Sequence, residues 1–244
     1  MNRMKEQNIA VIFAGGTGSR MGNPNVPKQF LKLDGKPIIV YTLELFQNHP
    51  MIDAIVVVCI ASWIDHLKGM LETYKLDKVK VVVEGGDCTQ SSIYKGLCAA
   101  EQFASPDSVV LVHDGVRPLI TEQTITDNIK MVRESGICIT CASPTETILV
   151  DDSLGGYNVP RRSNMLVARA PQSFRLGEIL ELHNRAIKEN KLDFIDCCEM
   201  ARYYGKNIAT VMGPAENIKI TTPADFFVFE AYVRMLEKQL VLGV

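Results

Sequence analysis

The residues best suited to chemistry are cations set among glycines. Residues 14–30 read AGGTGSRMGNPNVPKQF, with Gly15, Gly16, Gly18 and Gly22 beside the cations Arg20 and Lys28. Without β-carbons, successive backbone N–H groups can turn toward one anion, and the cations add full positive charge, so this stretch can wrap a phosphate. An ordinary strand-to-helix turn is the competing reading. Spacing narrows the phosphate options. A dinucleotide fingerprint needs Gly-x-Gly-x-x-Gly opening a helix and an acid at the end of the second strand, where this chain has Cys59-Ile60-Ala61-Ser62. A P-loop needs Gly-Lys-Ser/Thr, and Lys28 stands between Pro27 and Gln29. A second glycine-bearing loop, Glu84-Gly85-Gly86-Asp87, follows later in the chain. Asp114, in His113-Asp114-Gly115, ends an apolar run, where a carboxylate suits Mg²⁺, a substrate hydroxyl or the cap of the next helix. Arg117 suits an anion or a nearby carboxylate.

Alternating elements must position these groups. Apolar runs at 9–13, 54–60, 79–83 and 109–112 read as strands, and amphipathic segments at 37–46, 63–74 and 93–103 as helices. That rhythm predicts an α/β fold with a doubly wound, parallel sheet and sites at the carboxyl ends of its strands, where both glycine loops and Asp114 fall. From 143 to 173 the rhythm gives way to strand-like alternation around Leu154-Gly155-Gly156, which predicts a projecting hairpin arm. A two-stranded arm needs something to pack on; a second subunit is the economical partner, and folding back on its own domain is the alternative. Helices at 175–188 and 196–204 and short strands at 208–212 and 217–221 follow. Thr222-Pro223-Ala224-Asp225 then opens a last helix to about 240, with Thr222 as cap and Asp225 completing a capping box. The whole of 1–244 reads as a single domain with an arm.

Composition excludes several classes. With 244 residues, 47% of them hydrophobic, the chain can fill a sizeable core, and 26 Lys and Arg against 28 Asp and Glu give no field for nucleic acid or an anionic membrane. The start, MNRMKEQNIAVIF, is too short in apolar residues for a signal or spanning segment, which predicts a cytoplasmic protein. Of seven cysteines, Cys138 and Cys141 lie three apart on an expected strand, so they face opposite sides and cannot share a metal ion. The set, Cys197 and Cys198 included, is expected as reduced, buried thiols.

In order, AGGTGSRMG, PKQF, EGGD, VHDGVRP, APQSF and NIKITTP resemble the motifs of the cytidylyltransferases that couple CTP to a polyol phosphate, over about residues 8–232. These include the methylerythritol phosphate enzymes of isoprenoid synthesis and the ribitol-5-phosphate enzymes that supply CDP-ribitol to wall or capsule polymers. The resemblance implies a Rossmann-like nucleotidyltransferase sheet of the GT-A kind, a Mg²⁺ requirement, and a homodimer joined through the arm. The implied reaction is attack of the polyol phosphate on the α-phosphorus of CTP with loss of pyrophosphate.

By the same resemblance, Ala14, Gly15, Gly16, Thr17 and Gly18 cradle CTP. Arg20 and Lys28 take the triphosphate side, and Lys219 acts from across the site. Gly86, Asp87 and Ser92 read base and ribose. Asp114 serves CTP and the metal, Arg117 meets the acceptor, and Arg162 reaches the acceptor phosphate across the dimer. Thr221, Ala170 and Ile195 complete the acceptor side. The family commonly has arginine at the Thr89 position and threonine at those of Ala170 and Ile195, so acceptor identity is the open point. The motifs lie closer to the ribitol phosphate branch. Methylerythritol phosphate as acceptor, and a catalytically silent nucleotide-binding homologue, are the alternatives.

Overall fold

A computed structural model of the chain describes residues 4–16 and 26–242. Continuous β-branched runs suit strands buried on both faces, and the segments between them carry apolar residues on one side, so strands and helices alternate. In chain order these are β1 (Asn8–Ala14), β2 (Lys32–Leu33), β3 (Lys36–Pro37), α1 (Ile38–Asn48), β4 (Ala54–Cys59), α2 (Ile64–Thr73), β5 (Val79–Glu84), α3 (Thr89–Glu101) and β6 (Val109–Asp114). Then come α4 (Glu122–Ser135), β7 (Ile137–Ala142), β8 (Val150–Asp151), β9 (Tyr157–Asn158), β10 (Val167–Arg175), α5 (Leu176–Lys188), α6 (Cys197–Tyr203), β11 (Ala209–Met212) and α7 (Pro223–Leu242).

Seven strands form one sheet in the order β11-β7-β10-β6-β1-β4-β5. All of its pairings are parallel except those of β10, which runs against β6 and β7. Alternation along the strands feeds two cores. Ile9 and Val11 face α3, α5 and α6, whereas Ala10 and Ile12 face α1, α2 and α4. The sheet is therefore doubly wound and mostly parallel. The carboxyl ends of its parallel strands share one edge, and β10 begins at that same edge because it runs the other way. α3 lies close on the sheet at Gly96, where a β-carbon would come within 2.7 Å of Val11 and Val58.

Several expectations shift. Residues Val167–Arg175 are a central sheet strand, not the second half of the arm, so what projects is 143–166 with the short β8/β9 hairpin. Pro171 is tolerated inside a sheet because the pairing of β10 with β7 is irregular between Ala168 and Gln172. Residues 217–221 form no ladder; Ile220 N–H donates to Val116 O, and Lys219 and Thr221 face the site. α4 fills a stretch where no helix was expected, with Ile125, Ile129 and Val132 on its buried face, a Thr121 cap and Gly136 at φ 81° past its end. Pro37 precedes α1 in extended conformation instead of occupying its first turn. The start of α7 is as expected: Asp225 Oδ2 accepts from Thr222 N at 2.8 Å, and Thr222 Oγ1 accepts from Asp225 N at 3.3 Å. Cys138 and Cys141 do pack into opposite cores. Cys88, by contrast, is exposed and Cys98 only partly buried.

Candidate active site

Two clefts open at the carboxyl edge of the sheet. The first, about 450 Å³, is bounded by the end of β1 at Ala14, Gly15 and Gly16, by Lys28, and by the β5–α3 loop at Gly86 and Asp87. Thr17, Gly18 and Arg20 lie outside the described residues. Lys28 is nearly buried, with its Cε against Gly16, and local packing explains why. Gln29 is 1% exposed and its Nε2 donates to Ala14 O at 2.6 Å, while Phe30 stacks on Trp63 at 4.5 Å. Gln29 thus ties the segment after the lysine to the end of β1, and Phe30 pins it to the segment before α2. Across the cleft, Ser92 Oγ accepts from Gly86 N at 3.0 Å. It stands 3.6 Å from a β-carbon built on Gly15 and 3.2 Å from one on Gly85, so it braces both glycine loops. Thr89 opens α3, whose first-turn N–H groups lie beside this cleft and favour negative charge there.

The second cleft, about 230 Å³, is lined by Arg117, Arg169, Ala170, Ile195 and Asp196. Phe13, Thr89, Asp114 and Lys219 line both clefts. At that shared wall Asp114 accepts from Arg117 Nε and from Lys219 Nζ, each at 2.7 Å, one on either carboxylate oxygen. Burial pushes the Asp114 carboxyl up, but the charges and hydrogen bonds of Arg117 and Lys219 outweigh it and hold the group below the usual carboxylate value. Arg117 Nη1 also donates to Asn217 O at 2.8 Å, and Asn217 Nδ2 donates to Ala170 O at 2.6 Å. Behind the wall, His113 Nε2–H donates to Arg117 O at 3.1 Å, and burial pulls that imidazole down to about 4, so it is neutral. Thr221 lies at the first cleft, its hydroxyl spent on Asp225 Oδ2 at 2.8 Å. Ile195 is 80% exposed at the rim of the second cleft. Arg162 stands exposed on the arm and lines neither cleft of its own chain.

Residues 8–235 match the family model described as IspD: 2-C-methyl-D-erythritol 4-phosphate cytidylyltransferase. The chain belongs to this family. It is 49% identical over 237 residues to the ribitol-5-phosphate cytidylyltransferase of Streptococcus agalactiae serotype III, covering 97% of this chain and 99% of that one. It is 36% identical to the 2-C-methyl-D-erythritol 4-phosphate cytidylyltransferase of Clostridium kluyveri, covering 92% and 96%. Among solved structures, the 4-diphosphocytidyl-2C-methyl-D-erythritol synthase of Anaerococcus prevotii superposes with a TM-score of 0.81 at 25% identity, covering 94% and 96%.

This cytidylyltransferase-family enzyme is thus a nucleotidyltransferase with a wall of alternating charge between two clefts. As a metal site the wall is poorly prepared. Asp87 and Asp114 are the carboxylates of the first cleft, and both oxygens of Asp114 are already held by cations. Among the described residues no cluster of three or more His, Cys, Asp or Glu could hold a metal. Asp114 as placed therefore serves as the counter-ion of Arg117 and Lys219 and not as a ready metal ligand. Ser92 likewise shapes the Gly86 turn, with its hydroxyl committed to the backbone. Sequence reasoning passed over Gln29, Asn217 and Arg169. The first two lie inside quoted motifs, and a buried polar residue in such a motif was the available signal. Arg169 had none, because it reads as one more arm residue.

Proposed function

We propose that this enzyme transfers the cytidylyl group of CTP to a polyol phosphate, D-ribitol 5-phosphate by preference, giving CDP-ribitol and pyrophosphate. The observation that carries this is the shared wall: a glycine-lined cleft for one anion and an arginine-lined cleft for another meet at Lys219, Asp114 and Phe13. An in-line displacement between two anions needs neutralised charge more than an acid or base. The acceptor phosphate oxygen bonds to the α-phosphorus of CTP as the bond to pyrophosphate breaks, and no proton need move. Lys28 and Arg20 act on the triphosphate side, and Lys219 at the boundary. A Mg²⁺ ion brought with the nucleotide would supply further charge neutralisation, and Asp114, held by Arg117 and Lys219, is not prepared as its ligand. The preference for ribitol 5-phosphate is supported by the relatives: several named for it are 47–49% identical, against 36% for one named for methylerythritol phosphate.

Pyrophosphate release should be measured with CTP, Mg²⁺ and a series of polyol phosphates. Ribitol 5-phosphate is expected to give the highest kcat/KM. Faster turnover of methylerythritol 4-phosphate would move the enzyme to the other branch, and CTP binding without release on any acceptor would make it a silent homologue.

The enzyme works in the cytoplasm and as a homodimer. Supporting the dimer, the β8/β9 hairpin has two-residue strands and exposes Leu149, Val150, Leu154, Tyr157 and Val159, more apolar surface than so small a hairpin keeps in water. Sedimentation should show a dimer, and a fully active monomer would remove Arg162 from the site.

A further inference from the structure

The second cleft holds one positive charge more than its acids match. Its carboxylates are Asp114 and Asp196, and its cations are Arg117, Arg169 and Lys219. Asp114 is spent on Arg117 and Lys219, and Asp196 caps α6 by accepting from Glu199 N at 2.7 Å. Among the described residues Arg169 has no such match, and its buried Nε has no hydrogen-bond acceptor. Burial and then the neighbouring Arg117 guanidinium lower its pKa, which marks a desolvated cation beside another cation. Such a pairing costs free energy that an anion set between the two would remove.

The backbone is built to hold Arg169 there. It sits in the irregular stretch of β10 between Ala168 and Gln172, where the ladder is broken and side chains are re-aimed. Its neighbour Ala170 is fixed by Asn217 Nδ2, and the carbonyl of the same Asn217 fixes Arg117 Nη1. One buried asparagine thus sets the spacing of both arginines. Arg117 spends Nε on Asp114 and Nη1 on Asn217, which leaves its Nη2 donors uncommitted among the described residues.

We propose that Arg169 and Arg117 form a two-guanidinium seat for the phosphate of the acceptor, contributed within one chain, and that Arg169 selects for a phosphomonoester there. The proposal rests on the reading of the second cleft as the acceptor site. Planar guanidinium groups bind phosphate oxygens through paired N–H···O bonds, which fixes orientation as well as charge. Two oxygens held in this way leave a third to attack the α-phosphorus.

Binding of inorganic phosphate to the full chain, with cytidine α,β-methylene triphosphate filling the first cleft, tests the seat without turnover. Arg169→Gln should weaken phosphate by about tenfold or more and Arg169→Lys by less, with affinity for the analogue within about twofold, as expected for loss of a charge-assisted contact. In turnover the same variants should raise the acceptor KM and leave that of CTP. Retained analogue affinity shows that a variant is folded, and Arg169→Lys carries the test if Arg169→Gln is not. Unchanged phosphate affinity and acceptor KM in both variants would overturn the seat, as would a loss confined to Arg162→Ala. Should the wild type turn over no polyol phosphate yet lose phosphate binding on Arg169→Gln, the proposed reaction fails and the seat stands. Normal turnover in both variants with an unchanged acceptor KM removes the seat and keeps the reaction.

Discussion

The two clefts are made of different material. The first exposes main chain at three glycines, Gly15, Gly16 and Gly86, beside the side chains of Lys28 and Asp87, and Gln29, Phe30 and Ser92 hold its loops by contacts to neighbouring elements. The second is made of side chains that converge from β6, β10 and the segments before α6 and α7. Exposed main-chain N–H groups suit phosphate oxygens whatever the rest of the ligand, whereas converging side chains can be exchanged one at a time. Under the proposed function, the substrate common to the family would occupy the glycine-lined side and the variable acceptor the side whose residues can be exchanged.

Asp114→Asn should break both sides at once. It strips the counter-ion from Arg117, which is 11% exposed at its side chain, and from Lys219. The expected loss is about 3 kcal/mol of unfolding free energy, the range for breaking a buried pair, read by denaturant titration. pH supplies a second reading of the same contact. The folded carboxyl titrates below its unfolded value, so its stabilisation is complete above the ordinary carboxylate range and disappears as pH falls through the lowered value. In the Asp114→Asn variant that part of the acid sensitivity should be gone; an acid profile identical to the wild type would mean the pair contributes nothing.

Lys28→Ala should separate the sides. If the lysine meets charge that grows in the transition state, kcat falls by about a hundredfold, on the order of 3 kcal/mol, while CTP affinity and acceptor KM change far less. Near-normal kcat would return Lys28 to a packing role. Ser92→Ala is the smallest expected effect. Losing the hydroxyl that steadies Gly86 should raise the CTP KM by several-fold, about 1 kcal/mol, without moving the acceptor KM. An equal rise in both would show that the sides are not independent.

The same contrast explains what could be read from the chain. Glycines 15, 16 and 86 advertise their cleft because clustered glycines stand out within one short loop; at Gly86 a β-carbon would collide with the Ser91 side chain, whereas Gly15 and Gly16 have ordinary room for one. The doubly wound sheet was equally visible, since residues 54–59 and 109–112 are apolar throughout, as burial on both faces requires. β10 was hidden: Arg169, Pro171 and Gln172 look nothing like a sheet interior, and only the irregular pairing accommodates them. Arg169 and Asn217 lie 48 positions apart, and their joint effect on Arg117 exists only once β10 is inserted beside β6. The pairing of Asp114 with Arg117, three residues on, was open to view, but its second partner Lys219 was not, because it arrives from the far end of the chain.

The reversed direction of β10 has a practical consequence. A single continuous stretch carries the chain from the arm, past the second cleft and into the middle of the sheet, and among the described residues it gives none to the lining of the first cleft. Residues 143–172 therefore behave as a cassette. Grafting that cassette between a relative named for ribitol 5-phosphate and one named for methylerythritol 4-phosphate offers a route to exchange acceptor preference while leaving the nucleotide machinery in place.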